Sequence, residues 1–302
     1  MRARAAAVVR NHPLLTPLFI VYGAINVLAV AFEAPLSHFP INLLLLAAYV
    51  VVIYVATRDR QVAAPTVQRA GTRSRDFGLA VTVAIVQLAA VIAVWFVIRP
   101  HGLPAAWASA LRSAGVPHLI AAEAATALLG VGLLLVPTLV AVAAFRFRLR
   151  DVGLTANPRD LVLGVVLAAI AVGVGVAYVA TGQHAGLFWE SASLTVAAAA
   201  IALQSLVNGV PEELAFRGVI FGRLMPWLGR PGNSLAISAM VFGLFHVPML
   251  IASGEPFGLA VGTGLFGALP GLLLGYAFYR TGSMWPGAIW HTSFSGVGLL
   301  FV

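Results

Sequence analysis

Nine apolar stretches recur along this chain, nearly all long enough to traverse the hydrocarbon part of a bilayer, and they leave little of it for anything else. They fall at about 14–33, 41–57, 77–98, 119–144, 161–180, 194–208, 234–252, 257–279 and 284–302. Backbone polar groups in lipid must be satisfied within the segment, so the stretches are predicted to be helices. With 61% hydrophobic and only 9% charged residues, no soluble domain of this length is a competing reading. The expected fold is all-α, a polytopic transmembrane helical bundle of about eight to nine spans. The first stretch has the basic start and the Ala29-Val30-Ala31 site of a signal peptide, but its length and the spans after it mark it as a retained helix. Cysteine is absent, which excludes disulfides, thiolate metal sites and a cysteine nucleophile.

Charge placement orients the bundle. All eighteen basic residues are arginine, and the net charge is +8. Arginines crowd the N-terminal tail and alternate loops: Arg58, Arg60, Arg69, Arg73 and Arg75, then Arg146, Arg148, Arg150 and Arg159, then Arg223 and Arg230, then Arg280. The intervening loops hold only Arg99 and Arg112. That alternation predicts a cytoplasmic N-terminus in the plasma (inner) membrane of a bacterium. No basic patch interleaved with aromatics is present, so nucleic acid is not an expected partner and membrane lipid is. Residues 1–76 read as an N-terminal two-helix hairpin with a basic cytoplasmic linker from 58, and 77–302 as the helical membrane core. A second basic stretch, 145–160, is expected along the cytoplasmic face. Gly267, Gly271 and Gly275 repeat every fourth residue, a pattern that predicts close helix packing.

Sorting ionisable residues by depth isolates a small set. Most acids and histidines fall in loops or at span edges, Asp76 and Asp160 among them. Glu212, Glu213, Arg217, His246 and His291 fall inside apolar segments, where each is costly without a partner or a task. Pro211 predicts the first turn of a new helix, with a break at Asn208-Gly209 before it. Glu213 and Arg217 stand at i and i+4, the favourable order for a helical ion pair, and Glu212 points about 100° away from its neighbour. Alone, the trio is equally a device for pinning a helix junction, and either histidine alone is a packing residue. Together they make a water-activating site plausible: a base in Glu212, and imidazoles for water, a metal or an oxyanion. Neither H-E-x-x-H nor G-x-S-x-G occurs.

In these residues the chain resembles the CPBP family (CAAX protease and bacteriocin-processing, also called Abi) of intramembrane endopeptidases. The E-E-x-x-x-R motif is carried by Glu212, Glu213 and Arg217 with Phe216 and Gly218, F-x-x-x-H by Phe242 and His246, and H-x-x-x-N by His291 with Ser295 where many members have Asn. The resemblance covers about 194–302, with "LRDVGL" at 149–154 a weaker feature, and the first two helices lie outside it. It implies hydrolysis of a peptide bond in a membrane-associated peptide or protein. Glu212, His246, His291 and Ser295 would be catalytic, with Glu213, Arg217 and Phe242 in support. It also implies either Zn²⁺ held by Glu212, His246 and His291 or a metal-free glutamate mechanism. The alternative in the same family is a catalytically weak membrane scaffold or bacteriocin self-immunity protein. A transporter or proton relay would use the same groups but lacks paired broken helices.

Overall fold

The computed structural model describes residues 13–14, 20, 38–60, 73–180 and 194–297, and all structural statements concern these. They are helical, with no strand among them. Nine helices follow in order: α1 (His38–Thr57), α2 (Arg73–Ile98), α3 (Leu103–Ser113), α4 (His118–Ala144), α5 (Pro158–Ala180), α6 (194–228), α7 (Pro231–Ala252), α8 (Phe257–Thr281) and α9 (Trp285–Val297). Of these, α2, α4, α7 and α8, with α5 over Pro158–Ala177, are long and apolar enough to cross a bilayer. The expected span 14–33 lies outside the described residues. Helix α3 was not foreseen; it occupies an expected loop and buries none of its side chains.

The chain divides into two compact units that interleave in sequence. The first holds residues up to Val91 together with Phe216–Gly282, and the second Ile92–Ala215 together with Ser283 onward.

In the first unit α7 and α8 pack at close range because small residues line the seam. A Cβ at Gly243 would strike the Gly264 carbonyl, and one at Gly271 would lie 3.1 Å from the Ala239 Cα. The packed positions are Gly264, Ala268, Gly271 and Gly275, whereas Gly267 faces open space. The expected stripe is therefore corrected by one member: a straight i+4 series drifts around a 3.6-residue helix, and the seam follows 264, 268, 271, 275 instead. Helix α1 joins α8 through Arg280, whose Nε donates to the Thr57 Oγ1 at 3.0 Å and whose Nη2 donates to the Thr57 carbonyl.

A second correction concerns Asp76. It is not in a loop: it lies in the first turn of α2, fully buried, with its Oδ1 3.3 Å from Arg223 Nη1. Both side chains are about 1% exposed. Burying such a pair is tolerable only because each charge has the other. Asp160, also expected in a loop, is buried in the first turn of α5.

In the second unit α9 packs on α5, where Gly164 admits Pro286 and Ile289, and α4 packs on α6, where Gly130 admits the carbonyls of Leu206 and Val207. The "LRDVGL" segment has a physical role here. Leu149–Val152 form a 3-10 turn, closed by the Arg148 N–H donating to Asp151 Oδ2 at 2.9 Å. Gly153, at φ 77°, then presents its carbonyl to the Met284 N–H at 3.1 Å, and Ser283 Oγ donates to the Thr155 carbonyl at 3.0 Å. Those bonds fix the start of α9.

Candidate active site

The two glutamates sit in a helix that does not break where expected. From 194 to 228 the chain is continuously helical, but its pitch widens twice, over Ser205–Gly209 and Glu213–Phe221. The Val210 N–H reaches back five residues to Ser205 O. Pro211 has no N–H for the Val207 carbonyl, and its ring would press on that carbonyl in a regular turn. A wider turn relieves both faults without ending the helix, and such π-turns recur at functional sites.

The second unit contributes a cluster at this point. Glu212 is 6%, Glu213 0% and His291 8% exposed. His291 stands between the carboxylates: its Nδ1 is 3.2 Å from Glu213 Oε1 and its Nε2 is 3.8 Å from Glu212 Oε2. A carboxylate accepts only, so Nδ1 carries the hydrogen and the neutral ring turns its Nε2 lone pair toward Glu212. The longer gap exceeds a direct hydrogen bond and suits a bridging water. Gly287 makes the arrangement possible, because a Cβ there would overlap Glu213 Oε2. One turn beyond His291 on α9, Ser295 Oγ accepts from Asn208 Nδ2 at 2.8 Å. Gly209 leaves room for the Thr292 hydroxyl.

The first unit holds the other motif residues. Arg217, 1% exposed, has its Cζ 4.2 Å from the centre of the Phe242 ring. Phe216 meets Phe242 and Phe245 edge-on at 5.1 and 5.2 Å, and both of these rings flank His246. The spacing F-x-x-x-H thus places ring and imidazole on one face. His246 is the turn between Phe245 and Val247, where Pro248 cannot bond back to Leu244, and its Nδ1 lies 2.8 Å from the Phe242 carbonyl. A carbonyl accepts, so here too Nδ1 carries the hydrogen and a neutral ring keeps its lone pair on Nε2. Ser238 Oγ donates to the Phe216 carbonyl at 2.9 Å, satisfying backbone within a widened turn.

Sequence reading assigned Glu213 and Arg217 to each other; the contacts described are Glu213 with His291 and Arg217 with Phe242. It foresaw no role for Asn208, Thr292 or Gly287. The signal for the first two was present, as polar residues inside apolar runs one turn before Glu212 and one residue after His291. The zinc expectation finds suitable donor types, two imidazoles protonated on Nδ1 and a carboxylate. Among the described residues, though, no three His, Asp or Glu side chains are assembled as a metal-binding group. No step below is routed through a metal.

Residues 193–297 match the family model described as type II CAAX prenyl endopeptidase Rce1-like. This region is Rce1-like. The match spans all three motifs, from before Glu212 to beyond Ser295, and covers roughly the last third of the chain. The Rce1-like region thus belongs to a protease family, and with the long apolar helices it marks an integral membrane protein. No curated protein and no solved structure matches the chain.

Proposed function

We propose that this protein is an intramembrane endopeptidase that hydrolyses a peptide bond of a membrane-associated peptide or protein. The observation that carries the reading is the seating of His291 between two buried carboxylates, with its protonated nitrogen bound by Glu213 and its lone-pair nitrogen toward Glu212. Buried acids in an apolar unit are retained at a substantial free-energy cost, and an oriented carboxylate–histidine pair is what water activation requires.

In this mechanism Glu212 takes a proton from a water whose hydrogen is also held by His291 Nε2. The resulting hydroxide adds to the scissile carbonyl carbon. The Ser295 hydroxyl, with its oxygen already accepting from Asn208, directs its hydrogen at the developing oxyanion. As the C–N bond breaks, Glu212 returns the proton to the leaving amine. His246 enters through the order of the family motifs, as a second Nε2 acceptor that orients the water. Glu213 holds the His291 tautomer, and Arg217 fixes the ring wall that carries His246. The arginine distribution supports a cytoplasmic N-terminus in an inner membrane.

The test is cleavage of a quenched-fluorescence peptide anchored in liposomes with the purified protein. Glu212→Gln keeps the shape and removes the base, so the rate should fall on the order of 100- to 10,000-fold with folding retained. His246→Ala and His291→Ala should be nearly as damaging, and each should add little to Glu212→Gln because the groups act together. A Glu212→Gln protein that cleaves at the wild-type rate would sink the assignment.

A further inference from the structure

The second unit contains more buried polar groups than hydrolysis consumes. Along α6, Gln204, Asn208 and Glu212 recur every fourth residue among Ala, Leu and Val, spanning about 12 Å of helix. Each meets a polar group of another helix: Gln204 Nε2 donates to Glu123 Oε2 of α4, Asn208 bonds Ser295 of α9, and Glu212 faces His291 of α9. Helix adhesion alone explains the satisfied Gln204–Glu123 pair. It does not explain Asn208 Oδ1 and Thr292 Oγ1, two enclosed polar atoms with no hydrogen-bond partner among the described residues. They stand on facing helices beside Ser295. Enclosed polar atoms in such a place are ordinarily satisfied by water. Glu123, half-buried, lies near the start of α4, just after the exposed residues Ala114 and Gly115.

We infer that Glu123, Gln204, Asn208, Thr292 and Ser295 line a file of water that enters at the His118 end of α4 and ends at Glu212. The inference rests on the reading of Glu212 as the water-activating base. Each bond hydrolysed consumes one water, and the apolar helices around the site offer no other polar approach through this unit. Polar groups one helical turn apart are about 6 Å from each other, a step that one or two waters bridge.

A chain without cysteine is its own background for the test. Gln204→Cys and the near-isosteric Ser295→Cys would be treated in native membranes with a charged, membrane-impermeant thiosulfonate, applied to each face in turn. Ala114→Cys marks the entry side, and Ala202→Cys, exposed on the outer face of α6, reports a lipid-facing position. Only the thiolate reacts and it forms only where water reaches, so both file positions should label at least about tenfold faster than Ala202→Cys. Gln204→Cys should label from the Ala114→Cys side. Labelling no faster than Ala202→Cys, or labelling of Gln204→Cys from the opposite face alone, would overturn the inference. Labelling is read without any cleavage, so its failure is distinct from a failure of the Glu212→Gln test.

Discussion

Gly287→Ala is the sharpest test of how the site is held, because it touches none of the reacting groups. The added Cβ would overlap Oε2 of Glu213, and its next neighbours would be Cδ at 3.1 Å and Cγ at 3.5 Å. The backbone of α9 is tied at its start by the Met284 and Ser283 bonds, so the carboxylate must yield. Recovering ordinary contact needs a displacement of about 1 Å, and a misplacement of that size costs on the order of 100-fold in rate. Two effects on stability oppose each other. Replacing glycine by alanine inside a helix stabilises by about 1 kcal/mol, while crowding a buried carboxylate costs about 1–3 kcal/mol. The net change is therefore small, and melting in detergent should stay near wild type. The measurement pairs that melting curve with the liposome cleavage rate. The expected result is a rate about 100-fold lower with nearly unchanged melting. Wild-type cleavage by Gly287→Ala would refute the claim that the position of the Glu213 carboxylate governs His291.

Other expectations follow from single contacts. Arg223→Ala leaves Asp76 buried without its cation and should destabilise by about 3–5 kcal/mol, seen as lost abundance and a lower melting temperature; Asp76→Ala with Arg223→Ala should be milder than Arg223→Ala alone. Gly243→Ala drives a Cβ into the Gly264 carbonyl, which is backbone and cannot turn aside, so it should destabilise the α7–α8 seam by about 1–3 kcal/mol without altering the cleavage rate per folded molecule. Asn208→Ala removes the donor to Ser295 and should slow hydrolysis on the order of 10- to 100-fold, with binding of the intact peptide unchanged. Reporter fusions after residues 75 and 112 should give cytoplasmic and external signals respectively; the reverse result would overturn the orientation.

The helices were legible in sequence because hydropathy acts locally: α2, α4, α5, α7 and α8 lie within a few residues of their expected bounds. Glu212, Glu213 and His291 were legible as a set because charge at depth is conspicuous. The bond between Glu213 and His291 was not, since the residues lie 78 apart and spacing within one helix says nothing of a second helix. The i, i+4 rule suggested Arg217 as the partner of Glu213, yet it assumes 3.6 residues per turn, and Glu213–Phe221 do not have that period. Asp76 was read as a loop residue because the charges before it resemble a linker; its burial depends on Arg223, 147 residues away.

The widened turns of α6 have a consequence for how this stretch tolerates changes in length. A π-turn accommodates one more residue than a regular turn, so each acts as an inserted phase step along the helix. Deleting a single residue from Ser205–Gly209 would let the helix wind normally and rotate everything beyond it by about 100°. Gln204 would keep its bearing while Glu212 and Glu213 swung away from His291. Substitutions within that turn would be felt as local adjustments, but a one-residue deletion would act as a switch thrown for the whole downstream half of the helix. Chains that share this site should hold the number of residues between Gln204 and Glu212 fixed even where the residues themselves differ.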